Sequence, residues 1–531
     1  MASYKFFEEG RREDLWDKHC GYLELSIRDF MKIQERLMLE QLELLSFSKI
    51  GQELMGVSPT TIEEFRQRIP FTRYSDYEEF LTDKNEDILP VKPYTWARTS
   101  GRTSDKGPKW VPYPKAMYDR LGDAVIGAMI MSSCPRPGVV MLEQNDKLLL
   151  ATAPRPYVSG YISHSVRDQL KVVFLPSIES GEKMSYGDRV ALGFKLAMRE
   201  GLDYFMGLAS VLARMGEQFE QQSNTSKPSK DMLHPVILLR LIRAMIKAKV
   251  NNRSLLPKDI WNLKGVMTGG TDTEIYRDKI EYYWGKKPLE GYASTEGGNM
   301  AMQAWNAKGM VFFPDAGFLE FIPLDEHKKN LDDPDYQPKT VLYNELELGI
   351  YELVFSNFYG GVLVRYRIGD LFEVISIGDQ ELNSTLPQLQ FYSRINDIID
   401  LGNIARITER DVWKSIEATG VAYQDWIIRK EFKNDKSILH VYVELKPNSK
   451  VEETEFLDLL DQQLLKLVPD FQDYIEILGR NPLQVTFLKE GAFTAYMQAQ
   501  VKAGADLAHI KPPHMQPSDA VMKRLISNRT G

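Results

Sequence analysis

The segment Arg98 to Trp110, RTSGRTSDKGPKW, brings four small hydroxyl residues, two glycines and two lysines into one short stretch. Hydroxyls and unhindered backbone N–H groups make an anion-binding concavity, and lysine adds charge, so this composition suits phosphate. It is not a P-loop, whose lysine must directly follow the second glycine. Here five residues separate Gly101 from Gly107, Pro108 precedes Lys109, and Trp110 stands where a magnesium-binding hydroxyl is needed. A G-x-G-x-x-G dinucleotide fingerprint is absent as well. Alone, the segment also fits a Ser/Thr/Gly surface turn.

Two more motifs follow in order: YASTEGG, Tyr292 to Gly298, and YRIGD, Tyr366 to Asp370. The ordered trio resembles the signatures of the adenylate-forming superfamily, which includes acyl-CoA synthetases, peptide-synthetase adenylation domains and luciferases. It is most similar to the auxin-responsive-promoter-type acyl acid amido synthetases. EGLDYFMGLASVLARM, VMTGG and the late stretch GAFTAYMQAQVKAGADLAHIKPPH resemble that family too, so the likeness spans roughly residues 90 to 515.

The resemblance implies an ATP-dependent ligase that activates an organic carboxylic acid as acyl-AMP, expels pyrophosphate and passes the acyl group to an amine, an amino acid foremost. Such a reaction must neutralise phosphate charge and align the attack. By this resemblance Thr99, Ser100, Gly101, Thr103, Ser104 and Lys109 grip the phosphates, and Glu296 helps to hold Mg2+, a hard cation that takes oxygen ligands. Tyr292 and Thr295 lie beside the adenine or the α-phosphate, and Gly269 and Gly270 let backbone approach the nucleotide. Asp370 bonds the ribose diol and Arg394 touches ribose or phosphate. Lys511, carried by a mobile C-terminal domain, stabilises charge developing between carboxylate and α-phosphate.

Each assignment has a plainer counterpart. Glu296 reads otherwise as a loop acid, Gly269 and Gly270 as a turn, Asp370 as a turn residue after Gly369, and Lys511 as an exposed lysine before two prolines. Arg367 is either a phosphate contact or, as favoured here, one half of a structural ion pair. The sequence also departs from the family pattern. Arg102 and its neighbours enlarge the first loop, and Asp400 stands where many relatives carry a hinge lysine. The seven histidines are scattered, with no pair at zinc-ligand spacing.

These residues need a scaffold, and the hydropathy pattern describes an α/β protein. Apolar positions from Glu24 to Met55 recur at helical spacing, predicting one long amphipathic helix. VKPYTWARTSG reads as extended and YPKAMYDRLGDAVIGAMIM as helical, giving strand, loop, helix. KLLLATA and LKVVFLPS read as strands, the run from Arg189 to Met215 as helical, and Glu220 to Asp231 as a surface loop. Three strand-like runs occupy residues 309–375. The expected architecture is a large N-terminal α/β domain with a β-rich portion, residues 1–392. A small α+β lid, residues 393–531, would close over the nucleotide. The acyl pocket belongs to the large domain, with Asp123 to Met131 and Phe205 to Met215 as candidate linings or plain core.

With 531 residues the chain exceeds the usual domain of roughly 100–200 residues. Its 43% hydrophobic and 26% charged residues are ordinary for a soluble protein. A net charge of -8 with no long basic block argues against nucleic-acid or anionic-membrane partners. Two cysteines, Cys20 and Cys134, exclude a disulfide framework. The first twenty residues hold no apolar run of the signal-peptide kind, and apolar runs elsewhere fall short of the roughly 20 residues of a membrane span, so a cytoplasmic protein is expected. Partners are then small molecules: a carboxylic acid and an amine or thiol acceptor. Two rival functions remain: a ligase using coenzyme A, and a nucleotide-binding module without turnover.

Overall fold

Successive residues in the strands of the N-terminal half point to opposite faces, and both faces are apolar. Leu148, Tyr204 and Met267 join one core cluster, while Leu149, Phe205 and Val266 join another. A sheet so covered on both sides needs helices above and below it. The computed structural model describes residues 3–99, 109–225, 234–269, 273–333, 335–401, 405–433, 436–447, 449–502 and 512–526. It divides into two compact units, Met1–Ile368 with Phe372–Phe391, and Gly369–Leu371 with Tyr392–Gly531.

Among the described residues the large sheet has twelve strands. One half is parallel, running Val173–Phe174, Lys147–Ala151, Tyr204–Gly207, Gly265–Gly269 and Leu289–Ser294. Helices Lys115–Ser133, Val158–Gln169, Tyr186–Glu200, Ala209–Thr225 and Thr273–Trp284 connect and cover these strands. Beyond Leu289–Ser294 the sheet turns antiparallel through Gly298–Gln303 and Met310–Phe312 to Ser384–Arg394. This is the mixed α/β architecture with a β-rich portion that the hydropathy pattern describes.

The second unit is α+β. Tyr423–Lys433 pairs antiparallel with Lys436–Leu445, and Leu483–Leu488 runs parallel to the latter. Ile427, Tyr442, Phe493, Met522 and Leu525 pack between this sheet and helices Ala492–Lys502 and Asp519–Ile526.

Four local expectations are corrected. The long helix is broken into Ile27–Ser46 and Lys49–Met55, because the Ser48 side chain accepts the Gly51 N–H and caps a new helix. Within the run read as one helix, Gly201 at φ +101° stops Tyr186–Glu200, and Tyr204–Gly207 enters the sheet. A short apolar run does not distinguish strand from buried helix, and pairing with two parallel neighbours decides it. Finally, strand Thr95–Arg98 is followed by a second strand, Trp110–Tyr113, before helix Lys115–Ser133. The Ser/Thr/Gly segment therefore joins two antiparallel strands and does not feed a helix N-terminus. The helix Ala209–Thr225 also extends into the expected loop at Glu220.

Candidate active site

In open α/β sheets, ligands bind at the carboxyl ends of parallel strands. Gly269 ends its strand there, and Gly269 pairs with Gly291 on the next strand, which runs on through Tyr292 to Ser294. The TGG and YASTE motifs thus share one edge of the first unit. Among the described residues, a Cβ on Gly269 would meet only the Gly291 carbonyl, 3.8 Å away.

The YASTEGG motif is a hairpin connection: Ser294 pairs with Gly298, leaving Thr295, Glu296 and Gly297 between them. Gly298 lies at φ +70°, a left-handed conformation that glycine adopts without strain. Three side chains pin the turn. Tyr113 donates its hydroxyl to the Thr295 carbonyl at 2.7 Å, Asn357 Nδ2 donates to the Glu296 carbonyl at 3.0 Å, and Ser294 Oγ accepts the Gly297 N–H at 2.9 Å. The Glu296 side chain is partly exposed at the end of this rigid turn.

The strand that follows the first motif reaches this turn through Tyr113. Thr99 N–H donates to the Lys109 carbonyl at 3.0 Å and closes the loop at its base. Lys109 Nζ lies over the Tyr74 ring, 4.9 Å from its centroid. The Tyr74 hydroxyl accepts from Trp110 N–H at 2.7 Å and donates to the Trp110 carbonyl at 3.1 Å. Burial pushes the Tyr74 phenol up to about 12, and the negative charge of Glu296 adds to the shift. Burial and Glu296 also raise Tyr113. Tyr74 thus carries the Lys109 ammonium over its ring and feels the charge of Glu296. Thr99 Oγ1 is buried and has no hydrogen-bond partner among the described residues, a hydroxyl of the kind that suits a phosphate oxygen. Ser100, Gly101, Thr103, Ser104, Gly270 and Lys511 lie outside the described residues.

Tyr292 is buried among aromatic rings, 4.8 Å from Phe372 edge-on and 6.4 Å from Phe391 in a stacked arrangement. Asp370 and Arg394, both in the second unit, form an ion pair at 3.2 Å, with Asp370 buried and the Arg394 side chain largely exposed. Arg367 is engaged structurally. Its Nη2 lies 2.6 Å from Glu352 Oε2, and Asn330 accepts from Nη1 at 2.7 Å. Burial would raise the Glu352 carboxyl, but Arg367 and His327 outweigh it and hold it below the usual range. The candidate pocket linings, Asp123 to Met131 and Phe205 to Met215, contribute Ile126, Met129, Phe205 and Leu212 to the cores.

Spacing did not reveal Tyr113 or Asn357, each remote in sequence from the turn it pins, or Tyr74, which bonds Trp110 and lies under Lys109. Nor did it reveal the cluster at His514 in the second unit. There the imidazole stacks on Trp426, with centroids 4.4 Å apart, and its two nitrogens lie 2.5 Å from Glu409 and 2.8 Å from Asp425. Ile428 N–H bonds the His514 carbonyl at 2.7 Å, so the residue is fixed to strand Tyr423–Lys433.

A doubly covered parallel sheet with an acidic hairpin turn, followed by an α+β second unit, is the architecture of the adenylate-forming fold. The chain belongs to the GH3 family. Its N-terminal domain model matches residues 20–153, its central domain model residues 310–394 and its C-terminal domain model residues 411–520, together well over half of the chain. The jasmonoyl–L-amino acid synthetase JAR4 of Nicotiana attenuata is 24% identical over 95% of this chain and 94% of its own. The indole-3-acetic acid-amido synthetase GH3.15 of Arabidopsis thaliana is 24% identical over 88% and 87%. Among solved structures, the AtGH3.15 acyl acid amido synthetase in complex with 2,4-DB superposes with a TM-score of 0.68, at 15% identity over 94% of each chain. A 2-hydroxyisobutyryl-CoA ligase in its postadenylation state gives 0.55 at 13% identity over 95% and 94%. The protein is thus an ATP-dependent, adenylate-forming ligase that activates a carboxylic acid as acyl-AMP.

Proposed function

We propose that the chain joins an acid with an apolar, ring-bearing body to the amino group of an amino acid. The supporting observation is the Tyr113–Thr295 hydrogen bond at 2.7 Å, which ties the strand that follows Lys109 to the hairpin turn that carries Glu296. Relatives named for jasmonoyl, indole-3-acetic and 4-substituted benzoate conjugation support the class of acid. In this reading the loop from Thr99 to Lys109 holds the phosphates, Tyr292, Thr295, Gly269 and Gly270 flank the nucleotide, and Asp370 and Arg394 serve the ribose. Lys511 neutralises charge between the carboxylate and the α-phosphate.

Mg2+ fits this residue set through the nucleotide. Among the described residues no cluster of three potential protein ligands exists, and Mg2+ commonly uses one or two carboxylates together with substrate phosphates and water. Glu296 supplies that carboxylate, and the ion offsets phosphate charge. We place the reaction in the cytoplasm, a reading that the two free, buried cysteines fit. The fold shared with a CoA ligase favours coenzyme A as the alternative acceptor. AMP release measured with the activated acid and either an amino acid mixture or coenzyme A separates the two. Amino-acid dependence with amide product is expected, and thioester formation would assign the acceptor to coenzyme A.

A further inference from the structure

The helix Pro235–Val250 is apolar on two opposite sides. Ile237, Ala244 and Ala248 are buried, and the helix is held inward by Arg240, which donates to the Ala197 and Met198 carbonyls at 3.2 and 3.3 Å. On the other side Leu238, Leu239, Ile242, Met245, Ile246 and Val250 are all exposed, the last three at 60%, 60% and 79%. Their spacing of three and four residues places them in one band along the helix. With Val236, this one helix carries seven of the twenty exposed large apolar side chains among the described residues. Scattered exposed apolar residues are normal, but a continuous band is the mark of a contact surface.

Charge selects the occupant. The helix contains Arg240, Arg243, Lys247 and Lys249 and no acidic residue. Arg243 and Lys249 are exposed at the band and have no ion pair among the described residues, while Lys247 reaches the buried Asp259 at 3.9 Å. A second copy docking through the same face would set these cations against their own images. The band has no aromatic anchor and no neutral polar side chain to fix the register of a protein partner. A lipid surface needs neither: it accepts aliphatic side chains at any register and returns negative headgroup charge to flanking lysines and arginines.

We propose that helix Pro235–Val250 docks the protein on anionic membrane surfaces, with the aliphatic band in the headgroup boundary and Arg243 and Lys249 on lipid phosphates or carboxylates. The whole-chain charge of -8 points the other way, but it averages over 531 residues, whereas this helix carries four basic side chains and no acid. The inference is independent of which acid or acceptor the ligase uses.

Sedimentation of the full chain with vesicles tests it. Binding is expected to vesicles of phosphatidylserine and phosphatidylcholine in equal parts, and far less to phosphatidylcholine alone. Raising salt from about 0.1 M to about 1 M weakens it as the Debye length falls from about 10 Å to about 3 Å. Ile242→Glu/Ile246→Glu abolishes binding, and Arg243→Glu/Lys249→Glu weakens it roughly tenfold or more, while lipid-free adenylation is unchanged in both variants. No binding of the wild type to the mixed vesicles, or equal binding by the Ile242→Glu/Ile246→Glu variant, overturns the proposal. So does light scattering that finds a wild-type dimer which this variant converts to monomer, since that result gives the band to a second copy.

Discussion

Arg394 Nε stands 3.2 Å from Asp370 Oδ1, so the arginine that ends strand Ser384–Arg394 and the aspartate of YRIGD meet within the second unit. A largely exposed arginine contributes little to stability, about 1 kcal/mol at most. Arg394→Ala is therefore expected to leave the melting temperature within a few degrees. If Asp370 bonds the ribose, Asp370→Ala removes a charged acceptor, a loss of about 1.5–3 kcal/mol that raises the KM for ATP roughly tenfold or more. Initial rates against ATP measure this, and an unchanged KM in Asp370→Ala would remove the residue from the nucleotide site.

Gly269 separates nucleotide contact from folding. An added methyl at this strand end meets only the Gly291 carbonyl at ordinary contact distance. Gly269→Ala is accordingly expected to shift stability by about 0.5 kcal/mol or less. If ATP approaches the backbone here, the same substitution raises the KM for ATP severalfold. Paired thermal melts and ATP titrations distinguish the outcomes, and unchanged ATP kinetics would leave Gly269 a plain strand end.

Arg367 gives the opposite pattern. Glu352 is fully buried and its charge is compensated by Arg367 and by His327, whose Nδ1 lies 2.8 Å from Oε2. Removing one partner of a buried ion pair costs about 3–5 kcal/mol, because the other charge is stranded. Arg367→Met should lower stability by that order in urea unfolding. The double variant Arg367→Met/Glu352→Gln should recover part of the loss, as a phosphate-binding arginine would not.

His514 predicts a pH dependence of the second unit. Burial alone would depress the imidazole, but Asp425 and Glu409 outweigh it and hold it up at about 9, above the ordinary 6.5. A raised folded-state value means that the protonated form favours folding. The contribution is complete below about pH 6.5 and is lost as pH rises through about 9. His514→Gln should destabilise the unit by about 3 kcal/mol at pH 6, with the difference from wild type shrinking by pH 10. Melts across this range, followed through the tryptophan emission that Trp413 and Trp426 contribute, measure it, and a pH-independent difference would show that the imidazolium has no such role.

What the sequence discloses here and what it hides have different physical origins. Motifs such as YASTEGG are legible because a three-residue hairpin with an acid at its tip and glycine at a left-handed position is encoded locally. The alternation of apolar faces likewise announces a doubly covered sheet. Tyr74 and Tyr113 were hidden because their hydroxyls matter only after the chain brings residues far apart in sequence together. The strand Tyr204–Gly207 was hidden because its apolar run continues the period of the flanking helices, and only pairing with Lys147–Ala151 and Gly265–Gly269 distinguishes it. The network at His514 combines residues from a helix, a strand and the segment after Lys511, with no spacing that links them.

The central claim is acid-dependent adenylation at the site that includes Glu296. ATP–pyrophosphate exchange across a panel of aromatic, fatty and small organic acids, on wild type and Glu296→Ala, tests it most directly. Exchange that requires one class of acid and falls by at least about a hundredfold in the variant is the expected result, in line with losing a pre-organised electrostatic group. Wild type that binds ATP but supports no exchange with any acid would contradict adenylation, and exchange undiminished in Glu296→Ala would contradict the placement of Mg2+ at the hairpin turn.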